Sequence, residues 1–389
     1  MNIKKVKCLV PFTVFQLVGH GYVRSCCASW RKGGRIGNMY SSGSYLDIWN
    51  GEKIRKIRRD VLNDKTDETC NSSRCPYASS ASYIDLDNLK TDDVNLQKVV
   101  EQVRKGSEIL ETGPLYINTG DSDICNLKCI MCLNVKPPFR LTRHRSSEIF
   151  NSLLVHMLPT ASELTLTGNG DPFARKEVLN FLLNHKISEN YPNLRIELFT
   201  NGMLLTETMW DKIKHNRFSS INVSIDAATK ETYEYVRRNG KWDILFNNLR
   251  LIGDLRKQRH FSNFIINFVV IKSNYREMKN FVELGLAIGC DIIRFHKIIG
   301  YVDVRENILF TRNISVLSTI AKTLEDPIFN DNRVDISRLA VFRKFKGRKE
   351  TFFNRFLTAF MERMFYRPMK YYYSLRQQVF IIYSYFFLP

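Results

Sequence analysis

No apolar run in this chain of 389 residues is long enough to cross a membrane; the best reach about a dozen residues, against the ~20 a spanning helix needs. Nine cysteines are too few for a disulfide scaffold. There is no low-complexity run and no internal repeat. Acids are scarce beside bases: 39 Asp plus Glu face 58 Lys plus Arg, a formal net charge of +19. A balance that basic suits an anionic partner, whether nucleic acid, phosphorylated substrate or anionic lipid, and says nothing of fold. What is present, 44% apolar and 25% charged residues, excludes a wholly disordered or fibrous chain. The length suggests two to three domains with core enough to need no staples. Lys4, Lys5 and Lys7 ahead of CLVPFTVFQLV mimic a signal peptide, but Pro11 and Gln16 interrupt the apolar stretch.

Six strand-like runs alternate with helical patterns between about residues 113 and 297. The strands are LYINT (115–119), ELTLTG (163–168), LRIELFT (194–200), SINVSID (220–226), FIINFVVI (264–271) and DIIRFHK (291–297). Segments such as KEVLNFLLNHKI, WDILFNNLRLIGDLRK and REMKNFVELGLAIG repeat apolar residues at intervals of three and four. Such alternation predicts parallel βα units, as an open sheet or a barrel. In either, ligands bind at the carboxyl ends of the strands.

The loop after the first of these strands reads CNLKCIMC, with Cys125, Cys129 and Cys132 within eight residues. Three soft thiolates on one loop suit zinc or an iron–sulfur cluster. A structural zinc site wants four protein ligands. A cubane held by three leaves one iron open. Zinc completed by a distant residue stays as the alternative.

These residues resemble the radical S-adenosylmethionine (radical SAM) superfamily. The C-x-x-x-C-x-x-C spacing is its hallmark. TGNGDP (167–172) resembles its glycine-rich loop, with Asp171 where Glu is usual. LFTNG (198–202) and SIDAATKETYEYVR (224–237) resemble its next two strand exits. The resemblance implies a 4Fe–4S cluster on Cys125, Cys129 and Cys132. It implies contacts to S-adenosylmethionine from Gly168, Asn169, Gly170, Asp171, Asn201, Ser224, Asp226 and Arg237. Asp171 would meet the methionine ammonium, and Ser224 and Asp226 the ribose or carboxylate. Arg237 would pair with the methionine carboxylate or remain a solvated helix residue. It names no catalytic acid or base.

Residues 6–77 carry a second signal: Cys8, Gly21 and Cys26, a tryptophan-bearing segment LDIWNGEKIRKIRRDVL (46–62), then Cys70 and Cys75. This resembles the SPASM extension, which holds an auxiliary iron–sulfur cluster and normally follows the radical SAM core rather than preceding it. Cys8, Cys26, Cys70 and Cys75 would then ligate a second 4Fe–4S cluster, with Cys27 a rival to Cys26 and zinc a rival to iron. Cys290 reads as a buried small hydrophobe. Arg294 and His296 fall at the exit of the sixth strand, where substrate contacts are expected.

From Arg338 to Pro389 there are eleven Lys or Arg, two acids and sixteen aromatics. A basic, aromatic stretch suggests membrane-surface attachment, or a helical cap, with single-stranded nucleic acid the weaker option.

The expected architecture is α/β: a partial (β/α)6 TIM-like barrel of radical SAM type at 108–300. A small cysteine-rich SPASM-like domain covers 1–80, a helical linker 81–107, and a helical region with the basic tail 301–389. The expected activity is reductive cleavage of S-adenosylmethionine to a 5′-deoxyadenosyl radical that abstracts hydrogen from a sugar, a polyol or a peptide. The auxiliary cluster would accept the substrate electron, and an external flavodoxin or ferredoxin would supply the first one. The setting would be cytoplasmic, with the tail placing it on the inner membrane face. The alternative is a cysteine-rich zinc or nucleic-acid-binding protein without radical chemistry.

Overall fold

The computed structural model describes residues 3–27, 31–71, 75, 77, 82–132, 149–151, 156–167, 170–298, 306–311 and 313–348. The basic tail expectation falls largely on residues 349–389, and Gly168 and Asn169 belong to the same group; both lie outside the described residues.

All six expected strands form, with ends shifted by a few residues at most. They are β4 (Tyr116–Gly120), β5 (Glu163–Leu166), β6 (Arg195–Thr200), β7 (Phe218–Ser224), β8 (Asn263–Val270) and β9 (Ile292–Lys297). Each pairs in parallel with the next in chain order. That sequential order is the winding of a TIM-like barrel, and helices make the crossovers. They include α3 (Lys176–Asn184), α4 (Glu207–Ile213), α5 (Lys230–Val236), α6 (Trp242–Lys257) and α7 (Met278–Ala287). Among the described residues the sheet does not close. β10 (Val334–Asp335) adds a parallel strand beyond β9.

At the other edge the structure adds what periodicity did not show. The signal-peptide-like stretch is a core strand, β1 (Val14–Val18), parallel to β4 with Leu17 opposite Thr119. β2 (Tyr22–Arg24) and β3 (Gly37–Asn38) continue from it antiparallel, so one sheet of ten strands runs through both cysteine-bearing regions. Helix α1 (Glu52–Leu62) packs on the helical turn Val10–Thr13 that leads into β1, as does α2 (Val94–Arg104), which fills the expected linker. Arg58 of α1 ties these parts together. It is fully buried, donates to Pro11 O, Asn50 Oδ1 and Glu108 O at 2.9–3.0 Å, and lies over the Trp49 ring at 4.5 Å. Those bonds and the ring offset the cost of burying the guanidinium, although its Nη2 is buried without a partner.

Strand alternation separates two faces. Ile221, Val223, Phe264, Ile266, Phe268, Ile293 and Phe295 are all fully buried beneath the helices. The rings of Phe268, Phe281 and Phe295 lie 4.8–5.7 Å apart in tilted and edge-on pairs. Gly285 lets α7 come that close, because a Cβ there would sit 2.6 Å from the Ile293 side chain. The opposite, inner face carries Thr165, Glu197, Ser220, Asn222, Asn267 and His296, whose side chains bond one another. Polar residues in mid-strand on that face mark a surface meant for something other than packing. No helix among the described residues is long and apolar enough to cross a membrane.

Candidate cluster and cofactor site

The cysteine loop begins where β4 ends and is held from two sides. Lys128 N and Ile130 N donate to Arg238 O and Val236 O, both at 2.9 Å, fixing the loop to the end of α5. Cys132 N closes a turn onto Cys129 O at 3.1 Å. On the other side Asp171 N donates to Ile124 O at 2.8 Å. Gly170 makes that approach possible: a Cβ there would stand 1.9 Å from the same oxygen. A buried ion pair, Arg175 to Asp121 at 3.1 Å, locks the glycine-rich loop to the exit of β4.

Cys125 Sγ accepts from Leu127 N at 3.4 Å and from Asn201 Nδ2 at 3.7 Å. Asn201 also donates to Asn126 Oδ1 at 2.8 Å, so the exit of β6 reaches the loop through one side chain. Cys129 Sγ takes Arg237 Nη1 at 3.8 Å. Burial pushes the thiols of Cys125 and Cys129 up, and the Arg237 charge counters it at both.

Three of the expected contacts to S-adenosylmethionine are engaged otherwise in this structure. Asp171 is 1% exposed, and its carboxylate accepts from Phe173 N, Thr200 Oγ1 and Asn201 N at 2.7–3.0 Å. In this structure it braces the β6 exit through two backbone N–H groups and the Thr200 hydroxyl. Asp226 is fully buried in a left-handed conformation, φ 61°. Its oxygens take Val269 N at 2.6 Å and Arg237 Nη2, and Asn274 Nδ2 donates to its carbonyl at 2.9 Å. Asp226 thus anchors Arg237 rather than standing open to a ribose. Arg237 in turn is a nearly buried helix-end residue spanning Asp226 and Cys129, not a solvated one. Ser224 ends β7 half-buried.

The donors around Cys129 suit an anionic group. Arg237 Nε and Tyr233 Oη are both buried without a partner. Orphaned donors next to thiolate ligands are what cluster sulfur would satisfy. Sequence reasoning had not singled out Tyr233; its only signal was an aromatic one helical turn before Arg237.

In the N-terminal region Cys8, Cys26, Cys70 and Cys75 line a single cavity together with Arg31 and Tyr77. Cys27 is exposed. Burial raises Cys8 to about 12 and Cys26 to about 11. Arg31 pairs its main chain with Cys70 and donates to Ser25 Oγ at 3.2 Å, while its Nε stays buried and unpartnered. That orphan, among four thiols, again fits an anionic cluster. No three His, Cys, Asp or Glu among the described residues stand at single-ion spacing. A larger concavity, about 660 Å³, lies at the amino ends of β7 and β8, remote from both cysteine sets.

Residues 121–285 match the Radical SAM superfamily, and residues 8–76 match the iron–sulfur cluster-binding domain SPASM. The chain thus carries a radical SAM domain preceded by a SPASM-type iron–sulfur domain. The first implies a 4Fe–4S cluster and S-adenosylmethionine, and the second implies further iron–sulfur binding. The chain is 29% identical over 210 residues to GTP 3′,8-cyclase of Petrotoga mobilis, covering 52% of this chain and 60% of that protein. It is 21% identical over 201 residues to mycofactocin maturase MftC of Mycolicibacterium smegmatis, covering 50% and 46%. It thus spans about half to three-fifths of the length of these relatives. Among solved structures, SuiB of Streptococcus suis bound to its precursor peptide SuiA matches with a TM-score of 0.43 and 14% identity, covering 75% of this chain and 64% of that one.

Proposed function

We propose that this chain is an enzyme that reductively cleaves S-adenosylmethionine and oxidises or otherwise modifies a sugar, a polyol or a peptide. The observation that carries it is one sheet joining two thiol sets of different valence: three on a loop at the strand ends, four around a cavity. When bound, the three-thiol cluster and S-adenosylmethionine supply a 5′-deoxyadenosyl radical. Cys125, Cys129 and Cys132 hold the cluster. Arg237, fixed by Asp226, places positive charge beside Cys129. Asn201 and Gly170 keep the neighbouring loops in contact with the cysteine loop.

For a two-electron oxidation, one hydrogen atom leaves substrate to become part of 5′-deoxyadenosine. A proton and a second electron must then go elsewhere. Cys8, Cys26, Cys70 and Cys75 would hold a cluster able to accept that electron. An external donor such as flavodoxin or ferredoxin supplies the electron that starts each turnover. The basic, aromatic tail is assigned to membrane-surface contact on its composition.

Anaerobic reconstitution tests the reading. Loaded protein is expected to be brown with about eight irons per chain, two cubanes. With dithionite and S-adenosylmethionine it is expected to form 5′-deoxyadenosine. A colourless zinc protein that forms none rejects it.

A further inference from the structure

The inner face of β6, β7 and β8 leaves two polar atoms deliberately unpaired. Glu197 accepts from Thr165 Oγ1 at 3.0 Å, Ser220 Oγ at 3.3 Å and Asn222 Nδ2 at 3.4 Å. A carboxylate accepts and does not donate. Asn222 therefore turns its amide nitrogen to Glu197 and to Ser220 Oγ, 3.1 Å away. Its oxygen, Oδ1, is left buried with no partner. Asn222 itself is 0% exposed.

On the next strand the same argument runs with the opposite sign. Arg338 Nη1 stands 2.7 Å from His296 Nδ1. A guanidinium has donors only, so Nδ1 accepts and the ring proton sits on Nε2. Nε2 lies 2.9 Å from Asn267 Oδ1. Burial, with the charges of Arg338 and Arg294, keeps the imidazole neutral by pushing its pKa down to about 4. The Asn267 amide is thereby oriented, and its Nδ2 is left buried without a partner. Asn267 is 7% exposed.

The two residues lie on the same face of adjacent strands. β7 and β8 pair in parallel, with Asn222 opposite Ile265 and Ser224 opposite Asn267, so the two amides sit diagonally across one pair of strands. One offers an acceptor and the other a donor; Asn222 is oriented by the Glu197 carboxylate, and Asn267 by the neutral His296 that Arg338 holds in place. An anion would meet Asn222 Oδ1 with the Glu197 carboxylate behind. A cation would meet Asn267 Nδ2, with Arg294 and Arg338 near His296. An uncharged group that both donates and accepts meets neither conflict. We propose that Asn222 Oδ1 and Asn267 Nδ2 form a donor–acceptor pair that holds an uncharged hydroxyl or amide group of the substrate. The proposal rests on the enzymatic reading above and narrows its substrate at the point of contact. Arg338 and His296 are positioning residues for that pair.

The test uses reconstituted, full-length protein and saturation-transfer NMR with three probes: erythritol for hydroxyls, N-methylacetamide for amides and acetate for anions. Erythritol or N-methylacetamide is expected to take up saturation, and whichever responds distinguishes hydroxyl from amide. Acetate is expected to stay silent. In Asn222→Leu/Asn267→Leu the signal is expected to fall about three- to tenfold, the worth of a hydrogen bond or two. Circular dichroism checks that the variant is folded, because it also gives up the bonds of Asn222 Nδ2 and of Asn267 Oδ1. Equal probe signals in both proteins, or a preference for acetate, overturns the proposal. So does displacement of the responding probe by S-adenosylmethionine, which would give the pair to the cofactor. Formation of 5′-deoxyadenosine by wild type is measured separately, so failure of the enzymatic reading shows on its own.

Discussion

The two cysteine sets are built in different ways. Cys125, Cys129 and Cys132 sit on one turn, and their spacing is local; the fold contributes the backing of Val236, Arg237 and Asn201. Cys8, Cys26, Cys70 and Cys75 meet only because β1, β2, α1 and the Arg31–Cys70 bridge bring distant chain together. On the proposed reading the first site is an open set that needs a non-protein partner. The second would be complete by ligand number and depends on long-range closure, whose entropy a bound cluster would help offset. A local site can be read from a motif and should fail without unfolding the protein. A site made by closure should couple to folding.

The widest separation is expected from removing thiols. Cys129→Ala is expected to abolish 5′-deoxyadenosine formation with dithionite, because two thiolates cannot hold an open-site cubane. Cys70→Ala/Cys75→Ala is expected to keep that cleavage while product formation stops, with the iron content falling by about half. Circular dichroism must show that the double variant is folded. Wild-type cleavage by Cys129→Ala would break the assignment of the first site, and full product turnover by the folded double variant that of the second.

A smaller effect sharpens the local side of the comparison. Gly170→Ala places a Cβ 1.9 Å from Ile124 O, one residue before Cys125. Backbone must move, at a cost of ~3 kcal/mol or more for overpacking against main chain. The shift is expected to loosen the three-thiol site and spare the four-thiol cavity. Iron analysis of the reconstituted variant should show the loss confined to one cluster, with a lowered urea midpoint. An unchanged midpoint and full iron would show that the glycine-rich loop does not support the cysteine loop.

The same local–distant division decides what was legible. The six strands showed because their outer faces alternate with polar inner positions, as Ile221 and Val223 do with Ser220 and Asn222. The three-cysteine loop showed because its spacing is contained in eight residues. β1 did not, since CLVPFTVFQLV carries no sign that its partner is β4, about a hundred residues on. Arg338 reaching back to His296, and Arg31 among the N-terminal thiols, were hidden for the same reason. Cys26 and Cys27 could not be ranked by order; in the fold one lines the cavity and the other is exposed. What Asp171 bonds was not legible either: its carboxylate is held by Phe173 N, Thr200 Oγ1 and Asn201 N, partners that the glycine-rich motif does not show.

The smallest expected effects separate the two regions by pH in cluster-free protein. His296, on the inner face of the core, titrates near 4 when folded against 6.5 ordinarily. As pH falls from 6.5 towards 4 the unfolded chain takes up a proton that the folded chain refuses, so stability is lost on the acid side. Cys8 titrates near 12 when folded against 9.0 ordinarily. As pH rises from 9 towards 12 the unfolded chain releases a proton that the folded chain keeps, so stability is lost on the alkaline side. Each pK unit is worth at most about 1.4 kcal/mol, and partial exposure of both side chains reduces each limb to ~1–3 kcal/mol. Urea midpoints at about pH 5, 7 and 10.5 would read both limbs. His296→Gln is expected to flatten the acid limb and leave the alkaline one. Cys8→Ser is expected to lower the alkaline limb only in part, because burial also raises Cys26 to about 11 and Cys290 well above its ordinary value. Loading the clusters should remove the Cys8 share, because ligating thiols are already deprotonated, and leave the acid limb in place. A difference in the alkaline limb between wild type and Cys8→Ser that survives loading would show that Cys8 does not ligate.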